Sequence, residues 1–198
     1  MREVSLPAGD VSRAAGARTL GSPVSPAALI VGAVALALIL LAFATFPLDR
    51  ALVASFVAAV LIVVSAIDVQ HGVIPDRIVL PAAAIVLVAQ IALFPDQAVV
   101  CALAAALAAG ALLIPRLLKS DWMGMGDVKL ALLLGAALGW GVVGAVMLAF
   151  LCVLPVALLV ILRSGIAARK STLPFGPFLA LGALIVLFGP ALAGLPTQ

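Results

Sequence analysis

Two aspartates are set apart by where they sit in the chain. Asp127 follows Met123-Gly124-Met125-Gly126 and opens a long apolar run, and Asp68 closes an earlier one, Ala51 to Ile67. Carboxylates beside lipid are costly to keep. The chain has eight acidic residues in 198, so two at the ends of apolar runs need a reason. Two carboxylates brought together can hydrolyse a peptide: one, ionised, activates water and the other, protonated, polarises the carbonyl. Proximity supplies that split, because neighbouring carboxyls do not both ionise. No Ser/His or Cys/His constellation competes, and the one histidine, His71, reads as a solvated residue in a polar stretch.

Each residue also has a plainer role. Asp127 alone reads equally well as a helix N-cap, with Gly124 and Gly126 as turn residues. Paired with Asp68, the same glycines let backbone approach a substrate strand closely. Asp68 lies at a helix C-terminus, where a carboxylate opposes the macrodipole; alone it reads as a solvated boundary residue. Helix ends then suggest a division of labour. The helix N-terminus and nearby Lys129 favour an ionised Asp127 as base, leaving Asp68 as acid within a coupled pair. Lys129 is otherwise a snorkelling interfacial anchor. Asp76 is expected to shape the loop behind Pro75. Trp122 and Trp140 fit interfacial belts, and Cys101 and Cys152, inside apolar runs with no C-x-x-C, fit small buried side chains.

Composition says what positions these groups. Hydrophobic residues make up 66% and charged residues 10%, with mean hydropathy +1.39, against about 45–50% and about 25% in soluble domains. The chain is expected to be an integral membrane protein with the lipid bilayer as its solvent, and no nucleic-acid partner is expected. Unbroken Leu/Ala/Val runs select helices over a barrel. Residues 1–26 read as a disordered basic tail, and 27–198 as one transmembrane domain with a catalytic core over about 51–195. Ala27–Phe46 is a retained first helix, and Pro47-Leu48-Asp49-Arg50 a tight connection into the second. Runs at Ile78–Phe94, with Pro81 in a tolerant first turn, and Ala98–Ile114 follow. Val128–Leu162 is too long for one span and reads as a hairpin broken near Gly139-Trp140-Gly141, interrupted again at Pro155, with a short first arm. Leu173–Leu195 completes an all-α polytopic bundle of about seven helices.

Helix parity then assigns sides. With the amino terminus inside, Arg2, Arg13, Arg18, Arg77, Arg116, Lys119, Lys129, Arg163, Arg169 and Lys170 are cytoplasmic and only Arg50 is outside, a strong positive-inside signal. The same parity puts Asp68 and Asp127 on one face, the cytoplasmic one.

Gly124-Met125-Gly126-Asp127-Val128-Lys129 resembles the GxGD motif of the type IV prepilin peptidases, the aspartic leader peptidases of bacteria and archaea. Asp68 with Ile74-Pro75-Asp76 and Pro81 resembles that family's first motif, and Pro174-Phe175-Gly176-Pro177 a further stretch common in it. The resemblance implies a multi-pass plasma-membrane peptidase with Asp68 and Asp127 as the catalytic pair and Gly124, Gly126, Lys129, Pro75 and Asp76 around them. Its substrate would be a prepilin or pseudopilin precursor, cut at the cytoplasmic face, with no metal or organic cofactor.

One departure stands out. Bifunctional members carry a methyltransferase insert with paired C-x-x-C motifs between the first helices, where this chain has only Pro47 to Arg50. Leader cleavage without N-methylation is therefore expected, as in short forms serving Flp-type pili or archaeal-type systems. Presenilin-type proteases share GxGD but place their first Asp after Tyr, and this chain has none. A transporter would need ionisable groups near mid-membrane. A catalytically silent scaffold of a pilus or secretion machine is the remaining alternative.

Overall fold

The computed structural model describes residues 26–118, 124–164 and 174–193. The proposed tail up to residue 25, and Lys119, Trp122, Met123, Arg169 and Lys170, lie outside the described residues. Among those described the chain is an all-α membrane bundle of seven helices: α1 (Pro26–Thr45), α2 (Leu48–His71), α3 (Asp76–Leu93), α4 (Pro95–Leu118), α5 (Met125–Leu138), α6 (Gly141–Ser164) and α7 (Gly176–Leu192). Four of them, α2, α3, α4 and α6, are long and apolar enough to cross a bilayer.

Helix α5 is the axis of the bundle. With 14 residues it is only about 21 Å long, short of the roughly 30 Å hydrocarbon thickness. It has little need to match lipid, because protein surrounds it: Leu130, Ala131, Leu133, Leu134 and Ala136 are fully buried against α3, α4, α6 and α7. Small residues allow this. A Cβ at Gly135 would lie 2.5 Å from the Ala105 nitrogen and 2.7 Å from the Ala104 carbonyl oxygen, so α4 and α5 meet backbone to backbone. The α6–α7 contact repeats the device, with Gly182 seated on the Ala145 carbonyl. Close approach over small residues is how membrane helices gain contact without a hydrophobic drive between them.

The ends of α5 decide where its neighbours go. Its C-terminal carbonyls at Ala136 and Ala137 accept from Nε2 of Gln90 on α3, at 3.4 and 3.5 Å. The expected hairpin is present, and its corner is Gly139-Trp140. Gly139 has φ +54°, a region that strains residues with a Cβ.

Several sequence expectations on helix limits are corrected. The second helix is longer than the apolar run at both ends, taking in Leu48–Arg50 and continuing to His71. Only Phe46 and Pro47 separate it from α1. Asp68 therefore lies in its final helical turn and not beyond it. Pro95 to Gln97 form the first turn of α4, whose helix continues to Leu118. Pro81 is interior to α3, which starts at Asp76, and Pro155 does not interrupt α6. Proline deletes one backbone donor, a loss that packed membrane helices absorb.

Candidate active site

The last turn of α2 and the first turns of α3, α5 and α7 meet at one end of the bundle. Gly72, at φ 65°, ends α2 by donating its N–H to the Asp68 carbonyl oxygen at 2.8 Å. This left-handed glycine cap sets the final turn of α2. The Asp68 side chain is buried, only 5% exposed. Its Oδ2 accepts the backbone N–H of Gly176, the first residue of α7, at 3.1 Å.

Asp127 is also buried. It is not the N-cap of α5: Gly124 holds that position in extended backbone, and Asp127 is the third helical residue. Its Oδ2 lies back over the N-cap, 3.0 Å from where a Cβ on Gly124 would sit, the direction a third helical residue takes in a capping box. The plain helix-start role and the buried carboxylate are thus one arrangement. Asp68 is close enough for its charge to act on Asp127.

Ile74, quoted in the first motif but given no role there, ties the two halves together. It is buried, and a Cβ at Gly126 would lie 2.5 Å from the Ile74 Cβ. A Cβ at Gly176 would lie 3.2 Å from the Ile74 Cδ1. The side-chain space of Gly126 is thus filled by an internal neighbour, Ile74. Neither Gly124 nor Gly126 has positive φ; what the motif requires here is closeness. The signal for Ile74 was its place between the Gly72 cap and Pro75, a short apolar step between two helices with only one direction to bury.

Pro75 caps α3 from extended backbone, its carbonyl accepting from Ile78 and Val79. Asp76 begins α3 and forms an ion pair with Lys129 of α5. Lys129 thus pairs with Asp76, and no contact joins it to Asp127. A double-mutant cycle on Lys129→Met and Asp76→Asn is expected to give a stability coupling of about 0.2–1 kcal/mol. A coupling near zero would show that the pair does not link the α3 and α5 starts.

The helix-end surroundings of Asp68 differ from those expected. Asp68 ends its own helix but lies against the N-terminus of α7, so both carboxylates face helix N-termini. An N–H donated to an ionised oxygen is worth about 1.5–3 kcal/mol, against about 0.3–1 kcal/mol for an exposed helix end. The N–H from α7 thus opposes the helix-end effect expected to favour a protonated Asp68. His71, at the end of α2, is exposed. Cys101 and Cys152 are free, and among the described residues no three His, Cys, Asp or Glu gather as a metal site.

A cavity of about 520 Å³ opens at the other end of the bundle, lined by Phe46, Arg50, Gln90, Phe94 and Trp140 among others. Neither aspartate lines it.

Residues 55–162 match the type IV leader peptidase family, a span that contains Asp68 and Asp127 and ends before α7. Over 147 residues, 72% of the chain, it is 36% identical to the prepilin leader peptidase/N-methyltransferase of Burkholderia pseudomallei strain 1026b, and equally to that of strain K96243. It is 33% identical over 132 residues, 64% of the chain, to the protein of that name from Stutzerimonas stutzeri. These matches cover 48%, 48% and 46% of the relatives, so the chain spans about half their length. No solved structure matches.

Proposed function

The chain belongs to the type IV leader peptidase family, and from that premise we propose that it is a membrane aspartic endopeptidase removing the short leader of a prepilin-like or Flp-type precursor. The observation that carries this reading is the pair of buried carboxylates, Asp68 and Asp127, delivered by separate helices to one end of the bundle. The ionised member takes a proton from water as the water oxygen bonds to the scissile carbonyl carbon. The protonated member gives its proton to the carbonyl oxygen. When the tetrahedral species collapses, the C–N bond breaks, the proton taken from water passes to the leaving amine, and one hydroxyl proton returns to the carboxylate that gave it, restoring the pair.

The positive-inside distribution supports a cytoplasmic amino terminus and an active site at the cytoplasmic face of the plasma membrane, the side on which a basic leader would remain. Gly126 and Ile74 hold the pair's helices together, and the Asp76–Lys129 pair braces the α3 and α5 starts beside it. The proposed activity is cleavage alone. N-methylation, named for the relatives, is not assigned to this chain.

The test is processing of a precursor with a short basic leader and a hydrophobic segment, by the full chain reconstituted in lipid. One cut between leader and hydrophobic segment is expected, read by the mass and amino-terminal sequence of the product. An uncut precursor that copurifies with the chain would favour the scaffold reading. Cuts scattered within the hydrophobic segment would favour a presenilin-like protease.

A further inference from the structure

The geometry points to Gly176 as a positioning residue for Asp68, making the start of α7 a third wall of the active site; this rests on the catalytic-pair reading above. The first turn of α7 leaves few backbone donors to place. The N–H groups of Phe178 and Leu179 donate to the Phe175 carbonyl, and Pro177 has no N–H to give. The Gly176 N–H is the orphan of this helix start, and it points at Asp68 Oδ2, 3.1 Å away.

Only glycine permits that approach. A Cβ at Gly176 would lie 2.6 Å from Asp68 Oδ2 and 3.2 Å from its Cγ. The absent Cβ of Gly124 would likewise lie 3.0 Å from Asp127 Oδ2. Each carboxylate thus lies in the side-chain space of a glycine, and Asp68 is also pinned by that glycine's backbone amide. The Gly124 contact is local to α5, whereas the Gly176 pin crosses from α7 to α2, 108 residues away in sequence.

The approach of α7 is itself secured. The Phe175 ring packs on Phe150 of α6 with centroids 5.2 Å apart, and Leu179 is fully buried one turn into the helix. The consequence for the reaction is orientational. A backbone N–H held to one oxygen biases the carboxylate about its terminal torsion, so the other oxygen is kept in one direction. Positioning of this kind acts on the chemical step rather than on substrate affinity.

Two variants of the full chain in lipid test it. Gly176→Ala pushes the carboxylate aside, and an amide-to-ester replacement at Gly176 deletes the N–H without adding bulk. Both are expected to lower kcat per folded molecule about 10- to 100-fold, the size of one hydrogen bond to a charged group, with KM within about threefold. The infrared carboxyl band that Asp68→Asn removes should shift in the ester variant. An unchanged kcat with lowered thermal stability would reduce the contact to a cap for α7 and overturn the proposal, as would an unmoved band. Processing that survives Asp68→Asn would instead overturn the catalytic-pair reading, leaving the infrared result to report the contact separately.

Discussion

Asp68→Asn and Asp127→Asn are each expected to lower the single-turnover cleavage rate at least about 100-fold, within the 10²–10⁴ that positioned acid–base groups contribute. Asparagine keeps the shape of the side chain, and at position 68 it can still accept the Gly176 N–H. What it removes is the capacity to take up and release a proton. Folding should survive, because each site loses a buried carboxylate that was expensive to hold. The two residues act as one unit, so the double variant should be no slower than the worse single variant. The measurement is precursor processing at enzyme excess, with thermal unfolding of each variant alongside. A rate within about threefold of wild type for either single variant would refute the pair, whatever the other does.

Gly135→Ala is expected to be the most damaging conservative change outside the site. The added Cβ would meet the Ala105 nitrogen at 2.5 Å and the Ala104 carbonyl oxygen at 2.7 Å. Both are backbone atoms of α4, and no side-chain rotation relieves them. Overpacking of a tight core typically costs about 1–3 kcal/mol, and here relief requires separating two helices. Since α5 carries Asp127, the separation should also move the carboxylate and lower processing. Gly110→Ala is the control, because a Cβ there would meet nothing within 4 Å. Unfolding of the two variants in detergent should show a clear loss for Gly135→Ala and almost none for Gly110→Ala. Equal stability in both would mean that α4 and α5 are not in backbone contact.

Membrane class, helix count and the catalytic candidates were legible in the residues. Apolar runs separated by short polar stretches carry the seven helices because lipid forces each segment to satisfy its own backbone. The aspartates were legible because carboxylates at the ends of such runs are rare. The hairpin corner was legible as well: Gly139-Trp140-Gly141 interrupts a run too long for one span.

Other features depend on contacts between segments far apart in the chain. Lys129 was read beside Asp127 because it is two residues away, yet its helical direction takes it to Asp76 on α3. Helix limits were misplaced by a turn where charged or proline residues enter a helix, since hydropathy reports lipid contact and not backbone hydrogen bonding. Gly126 and Gly135 are indistinguishable from turn or spacer glycines until Ile74 and Ala105 are placed against them.

The sequence by itself determined that two carboxylates lie at the ends of membrane helices, and parity alone put them on one face. Only the tertiary structure decided how they are held. The backbone amide facing Asp68 belongs to α7, and no local pattern around Asp68 encodes it. A helix start can deliver its orphan N–H to any acceptor that packing brings near, and here close glycine contacts bring a carboxylate.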